Sequence, residues 1–270
     1  MENNSQNSKK TKKPLWWAIF IISTVLFVMC LLYLVFYATS CSKEGEYSDL
    51  KNNIAPTLTD DIKPSAEAEK TAKNPIDFTK LKKINKDIVG WIRIKDTNID
   101  YPVLRAKKND VSYYLHRDYK GDYLFAGSIY MEYCNQPDFS DRDTILYGHN
   151  MMTGAMFADL HKFESKSFFD KHKYMYIYTP DSIKKYKIYS AYEYDDRHID
   201  NSYEHFRKNS MFKEYIKYSL NPTSAIVSNV RKGSKITISD KLVTLSTCTN
   251  YRPQNRYLVQ GVLIDNERTD

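Results

Sequence analysis

A cysteine and two arginines lie close together near the end of the chain, in the stretch TLSTCTNYRPQNR. The alternation of side chains along a strand places Cys248 on the same face as Thr244 and Ser246, opposite Val243 and Leu245. A buried structural cysteine would more often lie among the apolar residues. A cation beside a thiol favours the thiolate, which is the nucleophilic form. The stretch therefore predicts a nucleophilic cysteine at the mouth of a strand.

Two arginines compete for the role of the cation beside this cysteine. Arg256 begins the predicted strand RYLVQGVLI and returns close to Cys248 if the two strands pair. Arg252 lies within the polar loop, where its position is less fixed. A guanidinium at this place would favour the thiolate and could donate several N–H hydrogen bonds to a carbonyl or an oxyanion. The spacing favours Arg256, and ordinary surface charge remains the alternative for both arginines.

A group that carries protons is predicted at the end of another strand. The stretch DTILYGHN places His149 in the same strand-end context as Cys248, which favours an acid-base role over the structural role that a lone histidine usually has. The other five histidines lie in polar helical or loop stretches and are predicted to be solvated: His116, His161, His172, His198 and His205.

A disulfide between Cys134 and Cys248 is the main structural alternative, because extracellular cysteines commonly pair. The polar face on which Cys248 lies argues against it. Cys134, in MEYCNQPD, is then a spare thiol in a loop. No clustered histidines or paired carboxylates occur at ligand spacing, so the sequence predicts no metal and no cofactor.

An uncharged apolar segment lies near the N-terminus, over residues 15–38. About 20 apolar residues cross a bilayer, whereas a cleaved signal peptide has an apolar core of about 7–15 residues. The lysine-rich residues 1–14 are predicted to stay in the cytoplasm as a basic tail. The pattern thus predicts an uncleaved, single-pass signal anchor in the cell membrane, with everything after Ala38 outside. Small residues before Cys41 leave lipid attachment as an alternative.

The rest of the chain divides into a spacer and a folded domain. Residues 39–74 are polar and are predicted to form an extracellular spacer, and residues 75–270 are predicted to form the folded domain. The net charge of +7 is partly local to the N-terminal lysines. Since no basic helix or aromatic RNA-binding signature accompanies this charge, no nucleic-acid partner is expected.

The folded domain is predicted to be mainly β. Its predicted strands are WIRIKD, IDYPVLRA, AGSIYME, DTILYGH, KYMYIYT, KKYKIYSAYEYD, SKITIS, KLVTLSTC and RYLVQGVLI, with a hairpin turn at Pro180 and Asp181. Helical patterns occur in DFTKLKKINKDI, TGAMFADLHKF and SYEHFRKNSMFKEYIKYSL. So many strands with inserted helices predict a closed or half-closed β-barrel.

The motifs together resemble the sortase family of cell-surface cysteine transpeptidases. TLSTC, followed by an arginine at the start of the last strand and preceded by YGHN, carries the resemblance, and DIVGWIRI, YPVL and GSIYM recur in the same order. The inserted helix before the final strands is similar to class B. The likeness covers roughly residues 76–265. It implies an eight-stranded barrel with N-terminal helices and catalytic roles for His149, Cys248 and Arg256.

The same resemblance implies a reaction and a substrate site. The substrates are secreted proteins that bear a C-terminal sorting motif. Cleavage after the Thr of that motif leaves a thioester acyl-enzyme on the cysteine. The acyl group then passes to an amine of a peptidoglycan precursor (lipid II) or to a pilin Lys. Substrate contacts are expected from four residues: Leu104, Tyr147, Ser246 and Thr247.

Two other classes of protein remain as alternatives. A papain-like wall peptidase is one, although there the cysteine opens a helix and precedes the histidine, whereas here His149 comes before Cys248. A membrane-anchored binding module with an inert thiol is the other. Transfer to an added amine and alkylation of the cysteine distinguish these alternatives from a sortase.

Overall fold

A computed structural model of the chain describes residues 13–55, 73–195, 197–223, 227–252 and 254–269. Residues 1–12 of the predicted basic tail, residues 56–72 of the predicted spacer and the side chain of Cys41 lie outside this description. The chain forms two compact units, Met1–Gly45 and Glu46–Asp270.

The first helix, α1, runs from Lys13 to Ile54. Its stretch Trp16–Val35 is long enough and apolar enough to cross a membrane, and its side chains are exposed. This agrees with the predicted anchor, and a signal sequence would have the same properties.

Nine strands form one mixed sheet in the described part of the chain. They are β1 Ile88–Arg93, β2 Asp100–Arg105, β3 Ile129–Met131, β4 Asp143–Tyr147, β5 Tyr174–Thr179, β6 Ser182–Tyr194, β7 Ser228–Val230, β8 Leu242–Cys248 and β9 Arg256–Arg268. Eight of them follow one another in the order β5, β1, β2, β3, β4, β8, β9, β6, and pairing of β5 with β6 closes the ring. The remaining strand, β7, pairs with β6. The predicted closed eight-stranded barrel is therefore confirmed.

The two faces of β8 meet different surroundings. Val243 and Leu245 belong to the larger buried cluster, together with Val103 and Val259. Thr244, on the opposite face, hydrogen bonds to Tyr215 under a covering helix. The predicted alternation along this strand is thus correct, and it places the last residue of β8 on the polar face.

Short helices cover the barrel. They are α2 Phe78–Ile84, α3 Lys166–Lys171, α4 Ile199–Ser202 and α5 Asn209–Leu220. Helix α5 buries Phe212, Tyr215 and Ile216, as its apolar spacing predicts. The longer helix expected from SYEHFRKNSMFKEYIKYSL is interrupted, because His205 and Phe206 have φ angles of 54° and 53°, which are incompatible with a right-handed helix.

Two other elements differ from the prediction. SKITIS is not a strand, because the Asp240 carboxylate accepts a hydrogen bond from Thr237 N at 2.6 Å and closes a turn there. TGAMFADLHKF forms a 3₁₀ helix over Ala158–Glu164 instead of an α-helix, and Met156 has a φ of 55° just before it. Leu160 in this segment is nevertheless buried, as its pattern indicates.

The end of α1 belongs to the second compact unit. Tyr47, Leu50 and Ile54 lie at helical spacing and are buried in the larger core. Tyr47 donates a hydrogen bond to the carbonyl of Gly127 at 3.1 Å, and Lys51 Nζ lies 2.7 Å from Asp100 Oδ2. The compact unit therefore includes residues that were assigned to the spacer because of their polar composition, since one apolar stripe over the last turns of α1 hardly changes that composition.

Candidate active site

Cys248 and Arg256 are directly opposite each other in the antiparallel β8–β9 pair. Residues in such a pair project from the same face of the sheet, so the arginine side chain begins beside the thiol. Arg256 Nη1 donates to the carbonyl oxygens of Gln254 at 2.8 Å and Asn255 at 3.2 Å, which restricts the guanidinium. Arg252 is exposed in the loop, and its Nη1 lies 3.8 Å from Glu193 Oε1. The strand register therefore brings Arg256 to the cysteine.

His149 reaches the same end of the barrel from the neighbouring strand. β4 and β8 run parallel with Tyr147 opposite Ser246, so His149 and Cys248 each follow that pair by two residues. Gly148 permits this path, because a Cβ there would lie 2.5 Å from Ile129 Cδ1. The three predicted catalytic side chains thus converge from β4, β8 and β9.

The imidazole of His149 is half-buried and packed between other rings. Its Nε2 lies 3.0 Å from the carbonyl oxygen of Leu115, and its ring stacks on Phe125 at 5.9 Å and tilts against His116 at 5.2 Å. Burial lowers the pKa of His149, and repulsion from a protonated His116 lowers it further. The neutral imidazole therefore predominates at pH 7 in the substrate-free protein.

The carbonyl of Cys248 is held by side chains from outside the strands. His161 Nε2 lies 2.9 Å from this oxygen, and Asn150 Nδ2 donates to it at 3.1 Å. His161 Nδ1 lies 2.6 Å from Glu164 Oε1, and its ring stacks on Tyr257. The prediction that His161 is solvated is wrong, and so is that for His172, which is 8% exposed. Because their contacts come from tertiary structure, the burial of these two histidines could not be predicted from the polar sequence around them.

The convergent residues line a groove of about 310 Å³. Its lining includes His149, Cys248 and Arg256, together with the predicted substrate contacts Tyr147, Ser246 and Thr247. Leu104 does not line this groove. It is 0% exposed in the larger core, although the strand registers place it on the same face of the sheet as Tyr147 and Ser246. Apolar groove positions that the sequence analysis missed are Val111, Leu115 and Ile199.

One wall of the groove carries an ion pair between a buried glutamate and a half-exposed histidine. His198 Nε2 lies 2.9 Å from Glu132 Oε2, and the Tyr147 hydroxyl donates to the same oxygen at 3.1 Å. Burial acts to raise the pKa of Glu132, but the interactions with His198, together with hydrogen bonds from Tyr133 and Tyr147, outweigh burial and lower it. Glu132 in turn raises the pKa of His198. The pair joins β3 to the segment after β6 beside the groove.

Both cysteines of the barrel unit are free thiols, so the disulfide alternative is wrong. Cys134 donates a hydrogen bond to Asp200 Oδ2 at 3.0 Å. Burial is the main cause that raises the pKa of the Cys134 thiol well above its usual range, and the hydrogen bond to this carboxylate raises it further. Cys134 is therefore a poor nucleophile by itself, in contrast to the open position of Cys248 in the groove.

Comparisons with known proteins agree with this geometry. A family model described as the sortase domain matches residues 92–264. Sortase B of Listeria monocytogenes is 39% identical over 188 residues, which are 68% of this chain and 72% of that protein. A Bacillus anthracis sortase B structure superposes with a TM-score of 0.66 at 30% identity, over 83% of this chain and 96% of that one. A Staphylococcus aureus sortase B–substrate complex gives 0.62 at 25% identity, over 85% and 96%. The chain therefore belongs to the sortase family and is a cysteine transpeptidase similar to sortase B.

Proposed function

We propose that Cys248 is the nucleophile, His149 the acid-base group and Arg256 the cation of a sorting reaction. The observation that carries the proposal is the register of β8 and β9, which places Arg256 directly opposite Cys248, with His149 at the same end of the adjacent strand. This order of strand ends gives one groove a nucleophile, a proton carrier and a hydrogen-bond donor to an oxyanion.

In the first half of the reaction, the thiolate attacks the backbone carbonyl carbon of the Thr in the sorting motif. The carbonyl oxygen gains negative charge, and the Arg256 guanidinium donates hydrogen bonds to it. When the C–N bond breaks, the His149 imidazolium protonates the departing amine and a thioester remains on Cys248. In the second half, neutral His149 removes a proton from the incoming amine, which attacks the thioester and releases the thiolate.

The protonation state of His149 limits this chemistry. An ordinary imidazole with a pKa of about 6.5 is about one quarter protonated at pH 7. The lowered pKa of His149 makes the imidazolium fraction smaller still. The productive form is therefore a minority species before substrate binds, and the arginine contributes most where charge develops in the transition state.

The substrate class follows from family membership and from the groove. We infer that the substrates are secreted proteins with a C-terminal sorting motif, and that the acceptor is an amine of a peptidoglycan precursor or a pilin Lys. Tyr147, Ser246 and Thr247 offer polar contacts in the groove. Leu104 is buried and does not line the groove itself, but it lies on the same face of the sheet as Tyr147 and Ser246.

The topology that suits such substrates is a membrane-anchored enzyme with its barrel outside the cell. In this proposal residues 1–14 are a cytoplasmic tail, residues 15–38 the anchor, residues 39–74 the connection and residues 75–270 the catalytic domain. The apolar stretch Trp16–Val35 supports the anchor. Protease added to protoplasts should release the barrel, and protection of the barrel would contradict the outside placement.

The test of the reaction uses the full chain in detergent, a library of fluorogenic sorting-motif peptides and an amine acceptor. We expect peptide cleavage with transfer to the amine, and loss of both activities in Cys248→Ala. Cys134→Ala is the matched thiol control and should keep nearly full activity. Cleavage that never yields an amine adduct would instead indicate a peptidase, and an unreactive Cys248 toward an alkylating agent would indicate a binding module.

A further inference from the structure

Three potential metal ligands converge away from the catalytic groove. The ligand atoms of Cys134, Asp200 and His205 lie within 4.8 Å of one another. Cys134 Sγ donates to Asp200 Oδ2 at 3.0 Å, and His205 Nδ1 hydrogen bonds to the same oxygen. Asp200 is 3% exposed, so its carboxylate receives both groups inside the protein. A soft sulfur, an imidazole nitrogen and a carboxylate oxygen therefore face a common point.

A second carboxylate beside the cluster lacks compensation. The cluster opens into a cleft of about 430 Å³ that Asp143 also lines. Asp143 is 1% exposed, and no hydrogen-bond partner reaches its Oδ1 within the part of the chain that the structure describes. Burial raises the pKa of Asp143 to about 7, against the hydrogen bond from Thr244, and the charge of Asp200 raises it further. A buried oxygen without a partner needs a further hydrogen-bond donor or a cation in the cleft, which a bound metal ion or the Arg142 guanidinium could supply.

Basic residues also line this cleft, and Arg142 Nη1, like Asp143 Oδ1, is buried without a hydrogen-bond partner in the described part of the chain. Arg142 Nη2 donates to Asn209 Oδ1 at 2.6 Å, and Lys241 Nζ donates to the carbonyl of Ser140 at 2.6 Å. Arg207 is the third cation of the lining, and Asp141 adds another carboxylate. The cleft is therefore mixed in charge, with three carboxylates and three basic side chains in its lining.

We propose that Cys134, Asp200 and His205 bind a divalent transition metal of the zinc class. Zn²⁺ accepts sulfur, nitrogen and oxygen ligands at about 2.0–2.3 Å in tetrahedral geometry, which places ligand atoms about 3.3–3.6 Å apart. The cluster reaches that geometry by side-chain movements of about 1 Å. Calcium and magnesium prefer oxygen ligands throughout and fit this set poorly. Binding replaces the proton of the Cys134 thiol, which passes to solvent as the metal–thiolate bond forms.

Such a metal would connect two segments that shape the catalytic groove. Cys134 follows β3, and Asp200 and His205 lie between β6 and α5. The latter segment also carries His198 and Ile199, which line the groove. The ion pair of Glu132 with His198 joins the same two segments. The metal is thus a structural tether for one groove wall, and its binding is measurable whether or not the proposed reaction is correct.

The experiment titrates the full chain in detergent with Co²⁺, then displaces the metal with Zn²⁺. The parent protein carries Cys248→Ala, so that the groove thiol cannot bind metal. We expect a cobalt–thiolate charge-transfer absorption that reaches its maximum when one equivalent of Co²⁺ has been added. Cys134→Ser should abolish this absorption, and His205→Gln should weaken Co²⁺ binding by at least about tenfold. Cys30→Ser, which removes another free thiol, should leave the titration unchanged.

Thermal melting in the presence of a chelator verifies that each variant is folded, and addition of Zn²⁺ should raise the melting temperature of the parent but not of Cys134→Ser. His205 is 37% exposed, so its replacement by Gln leaves the core intact. A cobalt–thiolate absorption that persists in Cys134→Ser would overturn the proposal. Equal affinity of the parent and His205→Gln, or a parent that binds no equivalent of metal, would overturn it as well.

Discussion

At the scale of single residues, the choice between two arginines depends on backbone register. Arg256→Ala should lower kcat/KM for a sorting peptide by about 100- to 1,000-fold, because one preorganised donor to the oxyanion is lost. Arg256→Lys should also lower kcat/KM strongly, since an ammonium cannot reproduce the planar fork of a guanidinium. Arg252→Ala is the matched control, and its exposed loop position predicts little change. An inactive Arg252→Ala beside an active Arg256→Ala would reverse the assignment.

The pH profile of kcat/KM should depend on His116, which lies beside His149. Because the charge of His116 lowers the pKa of His149, His116→Gln should raise this pKa and move the acidic limb of the kcat/KM profile to higher pH. A higher pKa also increases the imidazolium fraction at neutral pH. The measurement is kcat/KM across pH 5–9, with His205→Gln as a distant histidine control. An acidic limb that stays in place, or moves to lower pH, would contradict the assignment of this limb to His149.

The positions of Cys248 and His149 at strand ends could be predicted from the sequence, whereas buried contacts could not. Cys248 and His149 each follow a recognisable strand, and their polar context distinguished them from core residues. The burial of Leu104 and the contacts of His161 could not be predicted, for a common reason. Each one's environment is set by elements far away in the chain, such as the carbonyl of Cys248, 87 positions from His161.

At the scale of elements, β4, β8, β9 and α5 share a buried polar network. Thr244 Oγ1 donates to Asp143 Oδ2 at 2.7 Å and lies 2.9 Å from the Tyr215 hydroxyl. Gln260 Nε2 donates to the Tyr215 hydroxyl at 2.6 Å. These bonds fix the helix that covers the polar face of β8, which is the face that ends in Cys248. The network therefore stabilises the strand that carries the proposed nucleophile.

This network predicts a pH dependence of stability. Burial raises the folded-state pKa of Asp143 to about 7, whereas an unfolded Asp titrates near 3.9. The folded state thus binds more protons between these values, so stability declines as pH rises through 7. From pH 6 to pH 8 this carboxyl should remove about 1.4 kcal/mol of unfolding free energy.

Asp143→Asn should abolish that contribution and flatten the pH dependence. Urea unfolding with chelator present, at pH 6 and pH 8, measures the difference. Asp170→Asn, at an exposed carboxylate, is the control and should retain the parent slope. Parallel slopes for the parent and Asp143→Asn would mean that Asp143 is ionised in the folded protein at both pH values.

Elements with long alternating patterns were predictable, and those decided by local hydrogen bonds were not. The hairpin of β5 and β6 and the strands β8 and β9 follow their sequence patterns closely. SKITIS alternates in the same way, yet the Asp240 carboxylate captures its backbone in a turn. The apolar stripe at the end of α1 was missed because its few members stand in a polar segment.

At the scale of the whole molecule, closure of the barrel creates the site. β4 and β8 are far apart in sequence, and only the ring order places them side by side in parallel. Sequence patterns indicated a closed or half-closed barrel of many strands, and the resemblance to sortases specified eight strands. The position of each catalytic candidate in the groove then follows from two strand registers.

The most direct test of the proposed reaction is to trap the acyl-enzyme. The full chain is incubated with a cleavable sorting peptide without an acceptor amine, and the intact protein and its peptides are measured by mass spectrometry. We predict one adduct equal in mass to the peptide fragment that ends at the motif Thr, located on Cys248 and released by hydroxylamine. Peptide cleavage without any adduct on Cys248, or with the adduct on Cys134, would contradict the proposed reaction.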